Sequence, residues 1–369
     1  MYIEIDSMVL QENVPLAPLT TFRLGGPARY LVEARSTAEV AEAVAFAESR
    51  NLPLFVLGGG SNLVVADEGW PGLVLKVAIT GIEQRSGEHQ GKVTFEVGAG
   101  ESWDAFVAQA VAANCAGVEC LSGIPGSVGG TPVQNVGAYG QEVSETIESV
   151  QVFDRKDGQS RELCNEACGF SYRTSIFNTT ERGRFIILRV TYALVAGGDP
   201  HIEYGDLRRH FEGRPSPTLA EVRDAVRQTR ARKGMLIVDG DPDSRSAGSF
   251  FKNPVLTEKE HENLRQRAEA RGLSIPSYPA LERNRKVSAA WLVEHSGFSR
   301  GYALGQAGIS GRHALALVNR GGAKAAEIMA LKDRIQRAVE DQWGVRLQPE
   351  PVFVGIRASD QRSVVSDPI

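Results

Sequence analysis

Apolar and polar positions along the chain change period several times, and each change marks an element. The run "ARYLVEA" (28–34) is short and apolar, a strand, and Ser36 to Glu39 ("STAE") is a capping box opening a helix with Val40, Val44 and Ala47 on one face. "LPLFVLGGGSNLVV" (52–65) then reads as a buried strand, a glycine turn and another strand, with "GLVLKV" as the next, so residues 27–80 form a small α/β unit. From about 81 to 213 strands with glycine-rich connections take over: "KVTFEVGAG", "ESVQVFD" and "FIILRVTYAL". One helix interrupts them, "ESWDAFVAQAVAAN", with Trp103, Phe106, Val107 and Ala110 at helical spacing. "FEGRPSPT" reads as a linker, because two prolines among polar residues continue neither a helix nor a central strand. Thr218 to Glu221 ("TLAE") is a second capping box, starting "LAEVRDAVRQTRARK"; helices follow in "LTEKEHENLRQRAEA", "KVSAAWLVEHSG" and "GAKAAEIMALKDRIQRAVEDQW". The last carries Ile328, Leu331, Ile335 and Val339. "VRLQPEPVFVG" is a strand broken by prolines, and the polar tail beyond Arg357 is expected to be disordered.

A chain of 369 residues exceeds one ordinary core, so two or three domains are expected. A hydrophobic fraction of 42%, a charged fraction of 23% and a net charge of −4 give no whole-protein argument for nucleic acid or membrane binding. No basic segment precedes a long apolar run and no stretch reaches a membrane span, so the cytoplasm is the expected compartment. Cys115, Cys120, Cys164 and Cys168 match neither a CxxC redox pair nor a zinc site, and are expected to be reduced and mostly buried; no metal is expected.

Several stretches carry candidate chemistry. "VLGGGSN" (56–62) lacks the helix that a Rossmann or phosphate loop needs after its glycines, which leaves a hairpin turn or an anion-binding nest of free N–H groups with Ser61 and Asn62. "GIPGSVGGTPVQNVGAYG" (123–140) packs six glycines and two prolines into 18 residues, a backbone surface suited to a flat ligand. Arg223, Arg227 and Arg230 share a helix face, with Lys233 beyond, either a solvated stripe or a phosphate site. "FSYRTSIF" alternates so that Tyr172 and Arg173 fall on opposite faces if the stretch is a strand. "QPEP" holds Glu350 extended between two prolines. In "SAGSFFKNP", Ser249 is either a turn serine or an oxygen presented beside a dry wall of Phe250 and Phe251.

Taken in order, "TTFRLGG", "GGGSN", "GIPGSVGGTPVQNVGAYG", "FSYRTSIF", "YGDL", "SAGSFFKNP" and "PEP" resemble the UDP-N-acetylenolpyruvoylglucosamine reductase (MurB) family, from about Thr20 to Gly355. The resemblance implies an α+β fold: the FAD-binding fold of the vanillyl-alcohol oxidase (PCMH-type) group, made of two α/β domains, with a third α+β domain for substrate. The implied boundaries are 1–80 and 81–215 for the FAD-binding subdomains, the latter joined by a C-terminal strand at 345–357, then 216–344 for the substrate domain and 358–369 for the tail. FAD is implied to be non-covalent and NADPH the reductant. The cofactor-binding positions carried over are Gly58, Gly59, Gly60, Ser61 and Asn62, Ser122, Ile124, Pro125, Gly126, Ser127, Gly129, Gly130, Gly137, Ala138 and Tyr139, and Arg230.

The implied reaction passes hydride from the flavin to the terminal carbon of an enolpyruvyl ether on UDP-N-acetylglucosamine. Ser249 is the implied proton donor to the ether-bearing carbon, Arg173 the cation facing the resulting enolate, and Glu350 a polarising carboxylate beside the same carbon. Tyr172, Tyr204, Lys233, Asn253 and His313 are the implied substrate contacts, and the protein is expected to act as a monomer. The chain departs from the family pattern in three places: "GMLIVDGDPDSRSAG" is longer than in some members, His313 stands where a glutamine often touches diphosphate, and Gln348 replaces an acid. The other readings are a flavin-dependent sugar or alcohol oxidase, a UDP-sugar binding module, and a serine hydrolase, against which stand the lack of a G-x-S-x-G elbow around Ser249 and of any histidine near it in sequence, though sequence distance alone excludes no histidine.

Overall fold

In the computed structural model, which describes residues 2–5, 8–86, 91–280 and 283–356, three strands within 27–80 join two that precede them in a five-stranded sheet. The strand order is Tyr2–Ile5, Met8–Pro15, Pro27–Ala34, Trp70–Val77, Leu54–Leu57. Helix α1 (Thr37–Ser49) starts where the Ser36 hydroxyl accepts the Glu39 N–H, and it buries Val40, Ala43, Val44, Phe46 and Ala47. A second, antiparallel sheet runs Gln159–Cys164, Ile147–Asp154, Phe185–Ala196, Lys92–Gly98, Ile82–Ser86. On Phe185–Ala196 the alternate residues Ile186, Leu188, Val190, Tyr192 and Leu194 are buried, as a strand with one covered face requires. Helix α2 (Trp103–Ala112) supplies Trp103, Phe106, Val107 and Ala110 to the same core, and the rings of Phe106 and Tyr192 lie 4.9 Å apart. Each large apolar side chain so buried contributes about 1.5–3 kcal/mol.

These sheets belong to one compact unit, the described residues within 1–14, 28–60 and 71–232. It also takes in α3 (Gly205–Phe211) and α4 (Leu219–Arg232). Here the structure corrects an expected boundary: α4 does not open the substrate domain. Its Val222, Ala225 and Val226 bury against Cys120, Leu207 and Phe211 of this unit.

The second unit, the described residues within 15–27, 61–70 and 233–369, has its own core. It contains α5 (Glu258–Glu269), α6 (Ala289–Glu294) and α7 (Ala325–Trp343), the last burying Ile328, Leu331, Ile335 and Val339 on one stripe. The helix expected from "KVSAAW" begins later than its first residues, since Arg285–Val287 pairs as a strand with Ser277–Pro279 and Val255–Leu256, and Ser288 caps α6. A second correction concerns the C-terminal strand. Val352–Val354 pairs in parallel with Leu63–Val65 in this unit, not with the strands of 81–215. Leu63–Val65 in turn is no hairpin partner of Leu54–Leu57, which pairs with Trp70–Val77; the hairpin reading of the glycine turn is thereby excluded. The tail beyond Arg357 lies outside the described residues, among which no helix is long and apolar enough to cross a membrane.

Cys115, Cys120 and Cys168 are buried and Cys164 is exposed, all four as free thiols. Burial, with Cys164 and Glu166 adding to it, pushes the Cys168 thiol up to about 12, so it stays protonated and inert.

Candidate active site

The two glycine stretches meet inside the first unit. A side chain on Gly59 would sit 2.5 Å from the Cα of Gly126 and the backbone nitrogen of Ser127, and one on Gly58 would sit 2.8 Å from the Ser127 hydroxyl. Only glycine permits that approach. The longer loop is fixed largely through its backbone. The Trp103 N–H donates to Gly126 at 3.1 Å, the Val128 N–H to Glu101 and the Gly129 N–H to Ala99, both at 2.9 Å. Thr131 anchors the end of the turn, its hydroxyl 2.7 Å from that of buried Tyr192. Gly129 lies against Ala99, where a Cβ would meet the alanine methyl at 2.6 Å, and Gly130 ends the same turn. Ser122 donates to the Glu119 carbonyl; Ile124 and Pro125 are half-buried between the anchored points. The Ser127 hydroxyl in this frame is buried and finds no hydrogen-bond partner among the described residues.

The arginine face of α4 is not a free phosphate stripe. Arg223 and Arg227 both donate to Asp104 on α2, whose carboxylate also accepts the Gly123 N–H at 2.6 Å. Burial works to raise the Asp104 pKa, but the hydrogen bonds from Arg223 and Gly123 and the charge of the arginines outweigh it and hold the group ionised. Arg230 is buried and donates to the Gly123 carbonyl at 3.1 Å, so both backbone groups of Gly123 are held; burial pushes the Arg230 pKa down.

Arg173 also departs from expectation. Residues 171–174 form a tight turn in which Ser171 and Thr174 pair, and Arg173 has φ of 56°, so it is no strand with alternating faces. Its guanidinium donates to the Gly137 carbonyl at 2.5 Å and lies 5.2 Å from the centre of the Tyr172 ring. Asn135, which the sequence did not single out, organises this corner: its amide reaches Glu142 at 2.7 Å and the Ser171 carbonyl at 3.1 Å. Gly137–Ala138 pairs with Gln141–Glu142, and the two residues between, Tyr139 and Gly140, both have positive φ, as a two-residue hairpin demands. Tyr204, immediately before α3, is 45% exposed and sets its ring 5.3 Å from that of Tyr139.

In the second unit a short backbone ladder pairs the segment that follows Ser249 with the segment that carries Glu350. Phe251 bridges Pro349, the Glu350 N–H donates to Phe250, and the Lys252 N–H donates to Gln348, both at 2.9 Å. Phe250 and Phe251 are buried in the core, Phe250 edge-on to Phe22, and so hold the half-buried Ser249 from behind. "TTFRLGG" serves this support, for the Thr21 hydroxyl donates to the Ser246 carbonyl at 2.6 Å and Phe22 packs on Phe250. Asn62 fastens the other flank, its amide on the Glu350 carbonyl at 3.2 Å and its own carbonyl accepting the Val352 N–H; Ser61 accepts Thr21 through its carbonyl. Asn253 caps α6 through the Ala289 N–H at 2.9 Å, and Lys233 follows directly on α4, half-buried. His313, distant in sequence, places Nε2 3.1 Å from the Ser249 hydroxyl. The argument against a hydrolase from the lack of a nearby histidine therefore does not stand; the fold supplies one.

Comparison with known proteins decides between chemistries that share such parts. Residues 241–354 match the family model described as UDP-N-acetylenolpyruvoylglucosamine reductase, C-terminal domain, and residues 28–163 match an FAD binding domain. The reductase of Streptomyces coelicolor is 45% identical over 93% of this chain and 90% of its own length. This chain belongs to the UDP-N-acetylenolpyruvoylglucosamine reductase family. The Thermobifida fusca reductase is 46% identical over 93% of this chain and 98% of its own. The crystal structure of the Thermus caldophilus reductase matches with a TM-score of 0.63 at 29% identity, covering 94% of this chain and 99% of that one. The α+β class and FAD-binding fold expected from the reductase motifs are those found. FAD fits the residues present: a buried serine hydroxyl lacking a partner among the described residues, in a backbone cradle that a single methyl would fill, suits a polar, flat ligand.

Proposed function

We propose that this protein reduces UDP-N-acetylglucosamine enolpyruvate to UDP-N-acetylmuramate, with non-covalent FAD as cofactor and NADPH as reductant. The observation that carries the reading is identity to named reductases over 93% of the chain, with the reductase C-terminal family model spanning Ser249 and Glu350. Residues 58–62, 122, 124–127, 129, 130 and 137–139 with Arg230 hold the cofactor. Bound FAD, reduced by NADPH, supplies the hydride for the terminal vinyl carbon.

The rest of the chemistry falls to the chain's own side chains. Negative charge develops at the ether-bearing carbon and spreads into the substrate carboxylate. Arg173 stays charged and presents a planar fork to that carboxylate. Its left-handed backbone and its bond to Gly137 limit the directions the fork can take. Ser249 delivers the proton to carbon: serine is a weak acid in water, but an enolate carbon is a strong base and the ladder fixes the hydroxyl's position. Glu350, held by Phe250 and Asn62, polarises the donor or the substrate. Tyr172, Tyr204, Lys233 and Asn253 bind the nucleotide sugar. NADPH and a nucleotide sugar are metabolites of the cytoplasm, the proposed compartment, and the protein acts there as a monomer.

Stopped-flow absorbance tests the reading. NADPH should bleach the flavin of the wild-type protein, and enolpyruvyl-UDP-N-acetylglucosamine should restore its colour. In Ser249→Ala the bleaching should persist while recolouring slows by ~10²–10⁴-fold. Equal loss of both half-reactions would make Ser249 a structural residue, and recolouring by oxygen with an alcohol as reductant would make the protein an oxidase.

A further inference from the structure

The hydrogen bond between Ser249 and His313 stands on a rigid frame. The Phe250 N–H donates to the Leu315 carbonyl at 2.8 Å, tying the residue after Ser249 to the loop that carries the histidine. That loop closes on itself: the Ser310 hydroxyl accepts the N–H groups of Arg312 and His313, and the Ala316 N–H returns to the His313 carbonyl at 3.1 Å. Arg312 pins it further by binding Asp241 and Asp243. The 3.1 Å between Nε2 and Oγ thus spans two segments that are tied to each other.

A serine hydroxyl owns one hydrogen, so the direction of this bond decides what Ser249 can do. If Oγ donates to Nε2, its hydrogen is spent on the ring and none faces a substrate. If Nε2–H donates to Oγ, the hydroxyl hydrogen is free to point at a carbon. We infer that His313 is the positioning residue for Ser249, holding the hydroxyl as a proton donor by giving it an Nε2–H hydrogen bond. The inference rests on the proposed reductase reaction. In the proton step the Oγ–H bond breaks, a C–H bond forms at the ether-bearing carbon, and the charge passes from the enolate to Oγ. The same Nε2–H then stabilises the alkoxide until water returns the proton, and one solvent proton is consumed per turnover. This differs from the role that the family resemblance carries over to His313, a contact to diphosphate.

Two substitutions in the FAD-loaded enzyme test it. His313→Leu and His313→Gln should both be bleached by NADPH at the wild-type rate. His313→Leu should lower the limiting rate of recolouring ~10²-fold or more, the cost of one lost donor to a developing oxyanion, with substrate half-saturation little changed. His313→Gln keeps an amide N–H and should restore at least a tenth of the lost rate. Weakened half-saturation with an unchanged limiting rate would overturn the inference in favour of a diphosphate contact. A second measurement is independent of turnover: ¹⁵N spectra of the histidine rings should show a proton on Nε2 of His313, with a resonance that moves in Ser249→Ala. An Nε2 without a proton would overturn the inference whether or not the substrate recolours the flavin. Failure of the wild-type flavin to recolour would instead overturn the reductase reading, and the ring spectra would still decide the direction of the bond.

Discussion

Gly59 shows how much one missing side chain decides. Its Cα faces the backbone of Gly126 and Ser127, neither of which has a flexible end that can step aside. Gly59→Ala should therefore cost about 1–3 kcal/mol of stability through overpacking and release FAD from the purified protein, measured as melting temperature and flavin-to-protein absorbance. Retention of FAD at wild-type stoichiometry would remove the glycine contact from the account of cofactor binding. Arg173 and Ser249 make the complementary point. "FSYRTSIF" alternates well enough to read as a strand, yet hydrogen bonds from Asn135 to Glu142 and Ser171 fold that corner into a turn. Those partners lie 7 and 36 positions from Asn135, beyond the reach of any local periodicity. Ser249 and His313 are 64 residues apart, and no spacing rule connects them.

At the scale of elements, local signals were legible where the cap and the apolar stripe belong to the same segment. Ser36, Thr218 and Thr257 each accept the N–H three residues on, and the helices they open lie where the pattern put them. Helix α7 is different, because its N-terminal N–H groups are satisfied by Asp67, which accepts Ala325 at 2.8 Å and Ala326 at 3.2 Å from 258 residues away. Asp67→Ala should destabilise the second unit by ~1 kcal/mol, the usual worth of a lost cap, seen as a lower urea midpoint. No change would mean that water replaces the carboxylate without loss. On the strand Ile147–Asp154, Asp154 has a buried carboxylate bound by Arg184 and Arg161. The hydrogen bond from Arg184 is the main cause that holds its pKa down to about 2, below the ordinary carboxylate value. A depressed carboxylate stabilises the fold above its unfolded pKa, near 4, and that contribution is lost as pH falls towards 2. Denaturation midpoints measured between pH 2 and 6 should therefore fall less steeply in Asp154→Asn than in wild type, with the variant already weaker at pH 6. Equal slopes would show that the pair contributes nothing.

For the whole molecule, two cores divide the labour. The proposed cofactor residues other than Ser61 and Asn62 lie in the first unit, while Ser249, Glu350 and His313 lie in the second. A ligand stabilises the parts it binds in proportion to ln(1 + [L]/Kd). Removal of FAD should speed amide hydrogen exchange across 122–131 and leave the core of α7 near its original protection. Equal loss in α7 would show that the two cores open as one.

The sequence alone determined the local backbone demands, glycines where chains touch, caps where helices start and prolines around Glu350, and the family, cofactor and fold class followed from the resemblance that the ordered motifs carry. The partners remained for tertiary structure to decide. Whether the α4 arginines face solvent or Asp104, which strand receives Val352–Val354, and which side chain meets the Ser249 hydroxyl are matters of contact between segments far apart in sequence. A linear pattern encodes which face of a segment is apolar; it does not encode what that face will meet, because the meeting is settled by packing both cores to completion.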